Sequence, residues 1–309
     1  MAHPHPVIEP FLHYLQYEKR YSAHTVLAYQ TDLIQFFDFV QTDFGGMELP
    51  AIGHTHIRSW LAALKGAEQT ARTLNRKISS LRAFFKYLVK TGKLEKSPMG
   101  KVVAPKAEKR LPSFLSEQDV RKLFEAQPDP SVPERFPEHD YDLQTDKMLL
   151  LLFYHTGMRL SEALGLQEQN IHLGAGNLKV LGKGNKERII PITHTLADAI
   201  RKYAAHKRHH LEQPHHESGC LLLNKKGQPL QPRAAYERVK HHLDEVTTIS
   251  KRSPHVLRHT FATHLTNKGA DLNAVKELLG HSSLAATQVY THNTIEQLKD
   301  IYRKAHPKA

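Results

Sequence analysis

Four short stretches in the second half of the chain hold the residue types that phosphodiester cleavage requires. They are Thr156-Gly157-Met158-Arg159-Leu160-Ser161-Glu162, Gly182-Lys183-Gly184-Asn185-Lys186-Glu187-Arg188, Pro254-His255-Val256-Leu257-Arg258-His259, and Leu278-Leu279-Gly280-His281-Ser282 with Thr287-Gln288-Val289-Tyr290-Thr291-His292. Attack on a phosphodiester without a metal builds negative charge on the phosphorane. Fixed donors must meet that charge, and guanidinium groups offer planar, bidentate bonds to the non-bridging oxygens. Arg159 and Arg258 can supply them. His255 precedes Arg258 by three residues, a spacing that places both on one helix face, within reach of one phosphate. The leaving 5′ oxygen needs a proton, and Lys183, on a turn between two glycines that admit a close backbone approach, suits a general acid. Tyr290 offers an oxygen able to form a covalent link; its ordinary pKa of about 10 would be lowered by neighbouring cations. His281, at the end of a helix, can orient phosphate or nucleophile.

Taken singly, each residue has an ordinary explanation of about equal weight. Arg159 can pair with Glu162 three residues on, Lys183 can be a solvated turn lysine, and Tyr290 can be a core residue with its hydroxyl at the rim. The joint arrangement is harder to dismiss. Rival chemistries find less support. The chain has 23 histidines but no HExxH, and the pairs His209-His210, His215-His216 and His241-His242 lack the ligand spacing of a closed metal site. Gly176–Gly184 fails as a phosphate loop, because five residues separate Gly176 from Gly182 and Gly184 stands where Ser or Thr is needed. No G-x-S-x-G occurs, and Cys220, the sole cysteine, reads as a buried thiol.

The elements that must position these residues follow from periodicity and punctuation. A helix is predicted over Val7–Tyr17 and another behind the N-cap Ser22 through Val40, with breaks at Gly45-Gly46 and Pro50. Thr55–Leu64 and Thr70–Lys90 supply two more. Lys93–Pro112, rich in lysine and proline, reads as a stretch with little to bury. Beyond it come a helix behind a capping-box Ser116, a polar loop over Gln127–Asp142, and an apolar helix over Lys147–His155 that stops at Gly157. The period then changes: Asn177–Leu181 and Arg188–Ile192 form a hairpin around the glycine-rich turn. The rest is helical: Thr195–His209, Pro232–Glu245, His255–Lys268, Leu272–Leu279, Leu284–Tyr290 and Thr294–Ala305. The predicted fold is mainly α with a small β-sheet: an all-α N-terminal module over residues 1–100, a linker over 101–112, and an α+β domain over 113–309.

Charge places a polyanion against the first module. The formal net charge of the 309 residues is +12. Residues 1–50 carry a net −4, residues 51–110 a net +11, and residues 111–309 a net +5, so one fifth of the chain holds most of the excess. Within Thr70–Lys90, Leu74, Ile78, Leu81, Phe85 and Leu88 mark an apolar face; Arg72, Arg76, Lys86 and Lys90 fall opposite, with Arg82 on the flank. These five cations suit DNA phosphates, with release of counterions. A membrane surface is the weaker fit, since neither Trp nor lipidation signals accompany the helix. With 40% hydrophobic residues the chain can bury a core. It has no secretory start, no apolar run long enough to span a bilayer and no second cysteine for a disulfide, and is expected to act in the cytosol.

In order and content the four stretches resemble the signature boxes of the tyrosine recombinase family, the Xer-type site-specific recombinases in particular: Arg159, Lys183, His255-x-x-Arg258, His281, Tyr290. His255 through His264 and Leu278 through His281 carry the likeness most strongly. The resemblance implies that Tyr290 attacks the scissile phosphate to give a 3′-phosphotyrosine and a free 5′ hydroxyl, with Arg159, Arg258, His255 and His281 around the phosphate and Lys183 as general acid. It implies strand exchange through a Holliday junction with no ATP, essential metal or other cofactor. The implied partner is double-stranded DNA with a specific recombination site, bound in a C-shaped clamp by four protomers on two duplexes. A second related recombinase and a DNA translocase are further expected partners, and chromosome dimer resolution at cell division the expected role. Ile295, Leu298, Tyr302 and Ala305 form an apolar stripe that, in related proteins, docks on a neighbouring protomer; packing on its own domain is the alternative. The loop over 127–142 is longer and more polar than in the simplest Xer members, and no arm-binding domain precedes the first module. Competing readings are a mobile-element integrase, a type IB topoisomerase-like enzyme that rejoins the original strand, and a DNA-binding protein without catalysis.

Overall fold

Polar caps and glycine stops divide the first hundred residues into four helices. The computed structural model describes residues 6–106, 113–125, 134–182, 187–211 and 219–280. The chain forms two compact units, Met1–Arg110 and Leu111–Ala309. In the first, α1 (Ile8–His13) runs on into a π-helical turn, Tyr14–Glu18, where the sequence predicts one continuous helix. Ser22 caps α2 (Ala23–Phe44) by accepting the Thr25 N–H at 3.3 Å, and Gly45 ends it in the left-handed region. α3 spans His54–Gly66. Thr70 caps α4 (Ala71–Lys90), accepting the Thr73 N–H at 3.2 Å.

The apolar face of α4 makes this core. Leu74, Ile78, Leu81, Phe84, Phe85 and Leu88 are buried, and Phe84 meets Phe11 edge-on at 5.4 Å, as Phe36 meets Trp60 at 5.3 Å. Each fully buried ring contributes about 1.5–3 kcal/mol. An ion pair, Asp32 and Lys77, is buried with them. Asp32 accepts from Lys77 Nζ at 3.0 Å, from Ser80 Oγ at 2.7 Å and from Arg76, so its desolvation is offset by three donors. Lys93–Pro112 departs from expectation over part of its length. Met99 and Val102 are buried in this core, Arg82 donates to the Val102 carbonyl at 3.0 Å, and Asn75 donates to that of Pro105 at 2.9 Å. The lysine-rich average conceals two apolar anchors.

The second unit is built around α6 (Tyr141–Thr156), whose Leu149–Tyr154 run is buried on all sides. α6 starts six residues before the apolar signal at Lys147, because Asp140 caps it, accepting the Leu143 N–H at 3.0 Å, and its first turn is polar. Against it pack α8 (His194–His210), α9 (Pro232–Val246) and α10 (Pro254–Asn267). α5 (Glu117–Phe124) begins with the expected capping box of Ser116 and Asp119, and α7 (Leu160–Leu164) follows α6. The sheet is antiparallel and three-stranded: β1 (Ile171–His172), which the sequence did not announce, pairs with β2 (Asn177–Leu181), and β2 with β3 (Glu187–Pro191). α11 (Leu272–Leu279) packs on α10 in a small separate core of Phe261, Leu265, Val275 and Leu278. Cys220, expected to be buried, is half-buried. The chain is therefore mainly helical with a small sheet, as the periodicities predict. Among the described residues no helix is long and apolar enough to cross a membrane.

Candidate active site

The stop of α6 places the first arginine. Gly157 ends the helix at φ +59°, a conformation that disfavours any side chain, and a Cβ there would lie 2.5 Å from Phe261 and 2.7 Å from Leu279. The chain then turns through buried Met158, and Arg159 becomes the N-cap of α7. Glu162 reaches back to this cap, accepting the Arg159 N–H at 2.7 Å and a guanidinium N–H at 2.8 Å. Arg159 also donates to the Gly280 carbonyl at 3.1 Å. Its side chain is 32% exposed, so the guanidinium is anchored on one side and open on the other.

Arg258 arrives from the first half of α10 and is buried. It donates to the Gly157 carbonyl and, at 2.7 Å, to the Leu279 carbonyl. Two arginines 99 positions apart are thus held by the neighbouring carbonyls of Leu279 and Gly280. Burial first, then the like charge of Arg159, lowers the Arg258 pKa to about 10, which leaves it cationic at neutral pH. His255 sits one turn earlier on α10 and is exposed. Beside it His259, though exposed, is held below the usual histidine range by partial desolvation of its ring, then by the charges of His255 and Arg258. A site that raises the cost of further positive charge is one that a phosphate relieves.

Two residues without an assigned role in the sequence reading complete the cluster. Arg188, on β3, is buried and forms a fork on Glu162, with distances of 2.7 and 2.8 Å to its two oxygens. Burial would raise the Glu162 pKa, but the hydrogen bonds from Arg188 and from the Arg159 backbone outweigh it and hold the carboxyl at about 2. Glu162 appears in the sequence only as a possible partner for Arg159. Arg188 carries a subtler signal: it shares strand parity with Ile190, so a charge occupies an inward position of a strand. Lys183, His281 and Tyr290 lie outside the described residues. Among the described residues no three His, Cys, Asp or Glu side chains converge as a metal site.

The five cations of the other set stand on the first unit and are all exposed, Arg72, Arg76, Lys86 and Lys90 on the face of α4 opposite its core and Arg82 on the flank. Arg76 is paired with Asp32, Arg82 is bound to the Val102 carbonyl, and Lys90 lies 5.2 Å from the Tyr14 ring centroid. Arg72 and Lys86 make no hydrogen bond or ion pair among the described residues.

The sequence matches the model described as phage integrase family over residues 113–297, and that of the phage integrase N-terminal SAM-like domain over residues 8–92. It is 38% identical to tyrosine recombinase XerC of Chlorobaculum tepidum, with 97% of this chain and 94% of that protein covered. It is 36% identical to tyrosine recombinase XerD of Listeria monocytogenes, covering 98% and 99%. Among solved structures, the fold is similar to the Tn1549 transposon integrase in complex with transposon right end DNA, with a TM-score of 0.70 at 17% identity, over 95% of this chain and 98% of that one. It is likewise similar to the XerH site-specific recombinase bound to palindromic difH substrate, with a TM-score of 0.68 at 22% identity, over 95% and 82%.

Proposed function

Because the chain belongs to the phage integrase family, as a tyrosine recombinase that cuts and rejoins DNA in site-specific recombination, we propose that it acts on double-stranded chromosomal sites in chromosome dimer resolution, with Tyr290 as its nucleophile. One observation carries the assignment of the site: Arg159 and Arg258, from different helices, are fixed by the adjoining Leu279 and Gly280 carbonyls while Arg159 stays partly open. Donors fixed in advance need no reorganisation as charge develops. The XerC and XerD relatives, similar over nearly their whole length, support a Xer-type site-specific recombinase.

In the proposed reaction the Tyr290 oxygen attacks the scissile phosphorus and the bond to the 5′ oxygen breaks. Lys183 gives that oxygen its proton, leaving a 3′-phosphotyrosine and a free 5′ hydroxyl. Arg159, Arg258, His255 and His281 hold the phosphate through the step. A 5′ hydroxyl from the second duplex then attacks the phosphotyrosine, releases Tyr290 and exchanges the strands, so the ester's energy is retained and a Holliday junction results. Four protomers would act on two duplexes, together with a second related recombinase and under a DNA translocase. The helical module of residues 1–100 would bind phosphates through α4, and residues 113–309 would perform the chemistry.

The test uses nicked suicide duplexes carrying candidate chromosomal sites, with and without a paired recombinase, followed by denaturing gels. Wild type should become covalently joined to DNA and Tyr290→Phe should not. No wild-type complex on any site, or an undiminished one with Tyr290→Phe, overturns the proposal.

A further inference from the structure

β3 delivers one charged side chain to the inward side of the sheet. Arg188 stands opposite Val180 in the β2–β3 register, and its side chain is 6% exposed. Besides its fork on Glu162, its Nε donates to the Leu278 carbonyl at 3.1 Å. A Cβ on Gly280 would come within 3.1 Å of its Cδ, so the left-handed turn that ends α11 rests on the shaft of this arginine. One side chain therefore touches the cap that carries Arg159, through Glu162, and the turn whose carbonyls hold both Arg159 and Arg258.

We propose that Arg188 is a positioning residue for DNA strand cleavage, acting through Glu162 and the Leu278–Gly280 turn to fix where Arg159 meets the phosphate. This deepens the proposed function and rests on its reading of Arg159 and Arg258. The physical need is specific. Glu162, with its side chain 2% exposed, takes four donors: two from Arg159 and two from Arg188. A carboxylate this close to the phosphate site would repel DNA unless neutralised, and a single partly open arginine cannot both neutralise it and serve the substrate. Arg188 takes over the first task. Its planar fork also fixes the orientation of the carboxylate, which a lysine, as a point charge, cannot do.

Removal of Arg188 has a consequence beyond stability. Among the described residues, the charges facing Glu162 are Arg159 from the α7 cap, Arg188 from β3 and Arg258 from α10. Without Arg188, burial favours the protonated carboxyl, and a protonated Glu162 accepts less well from the Arg159 N–H and guanidinium. Cleavage should then gain an acid limb that wild type lacks.

The experiment compares wild type, Arg188→Met, Arg188→Lys, Glu162→Gln and the double variant Arg188→Met with Glu162→Gln. Covalent complex formation on the suicide duplex is followed from pH 5 to 8, alongside DNA affinity and thermal melting. Arg188→Met is expected to lower the cleavage rate about a hundredfold, the scale of an ångström-sized displacement, with DNA affinity within about threefold. Arg188→Lys should fall between and show the acid limb. The double variant removes both buried charges, so it should regain the melting temperature but not the rate. Arg188→Met cleaving at the wild-type rate, or a double variant that recovers rate and melting together, overturns the proposal by making Arg188 a mere counter-charge. Absence of any wild-type covalent complex overturns the reading of the site, and this inference with it.

Discussion

The carbonyl oxygen of Gly157 accepts a hydrogen bond from the Arg258 guanidinium, and packing fixes both ends of that bond. Gly157 is locked by its left-handed φ and by the Phe261 and Leu279 side chains against its Cα. Arg258 is locked by its second bond to Leu279. The end of α6, the start of α10 and the end of α11 therefore share one small volume, and a disturbance of any of the three reaches the arginines.

Gly157→Ala tests that volume. The methyl group meets a left-handed cost of about 1–2 kcal/mol and an overpacking cost of about 1–3 kcal/mol. Together they should lower stability by about 2–5 kcal/mol, read as a drop in the urea midpoint. Cleavage should fall further than the unfolded fraction accounts for, because the Arg258 anchor shifts. A wild-type midpoint would show that the three segments are not closely packed.

Glu162 should leave a mark on acid stability. Its folded pKa of about 2 lies below the ordinary value of 4.5, so the unfolded chain binds more protons between the two. The associated stability is complete above about pH 5 and is lost as pH falls toward 2; a shift of this size corresponds to about 3 kcal/mol. Urea titrations at stepped pH should show this loss in wild type and a flatter profile in Glu162→Gln.

The contrast between what the sequence reveals of the site and what it conceals follows range. Caps and stops are local, so Ser22, Thr70, Ser116 and Gly157 mark helix ends in advance, and Arg159 and Arg258 stand out by type and motif. The Arg188–Glu162 fork is not local. It depends on the strand register, since a slip of one residue would turn Arg188 to the other face, and on α7 bringing Glu162 within reach of its guanidinium. The early start of α6 is hidden in the sequence because the turn from Tyr141 to Thr145 is largely polar, and the anchoring of Met99 and Val102 because the surrounding lysines dominate any window average.

On α4, the partners of each cation separate binding from structure. Among the described residues Arg72 and Lys86 make no hydrogen bond or ion pair and would be available to phosphates, whereas Arg76 already serves Asp32. Arg72→Ala and Lys86→Ala should each weaken DNA binding to a similar degree on any sequence and reduce the slope of log affinity against log salt by about 0.9. Arg76→Ala should change the slope less and lower the stability of the first unit, because Asp32 loses a donor. Affinities measured over a salt series, with melting curves beside them, read both effects.

The last prediction concerns Leu115, where the second unit begins its contacts with α10. The Leu115 N–H donates to Thr260 Oγ1 at 2.9 Å, and its carbonyl accepts from His264 Nε2 at 3.0 Å. With Nε2 as donor, the neutral ring presents Nδ1 to the Tyr154 hydroxyl at 3.4 Å. Thr260→Val keeps the shape but orphans a buried N–H, at a cost of about 1–3 kcal/mol, while Thr260→Ser should stay near wild type. His264 adds a pH dependence. Burial first lowers its pKa, with a smaller opposing effect from the Leu115 hydrogen bond, so the folded chain resists a proton that the unfolded chain accepts. Stability should therefore be full above pH 6.5 and fall as the pH drops below it. His264→Gln, which cannot titrate, should reduce that slope in urea midpoints measured between pH 5 and 7.5, leaving the part due to His259, and an unchanged slope would place the titrating group elsewhere.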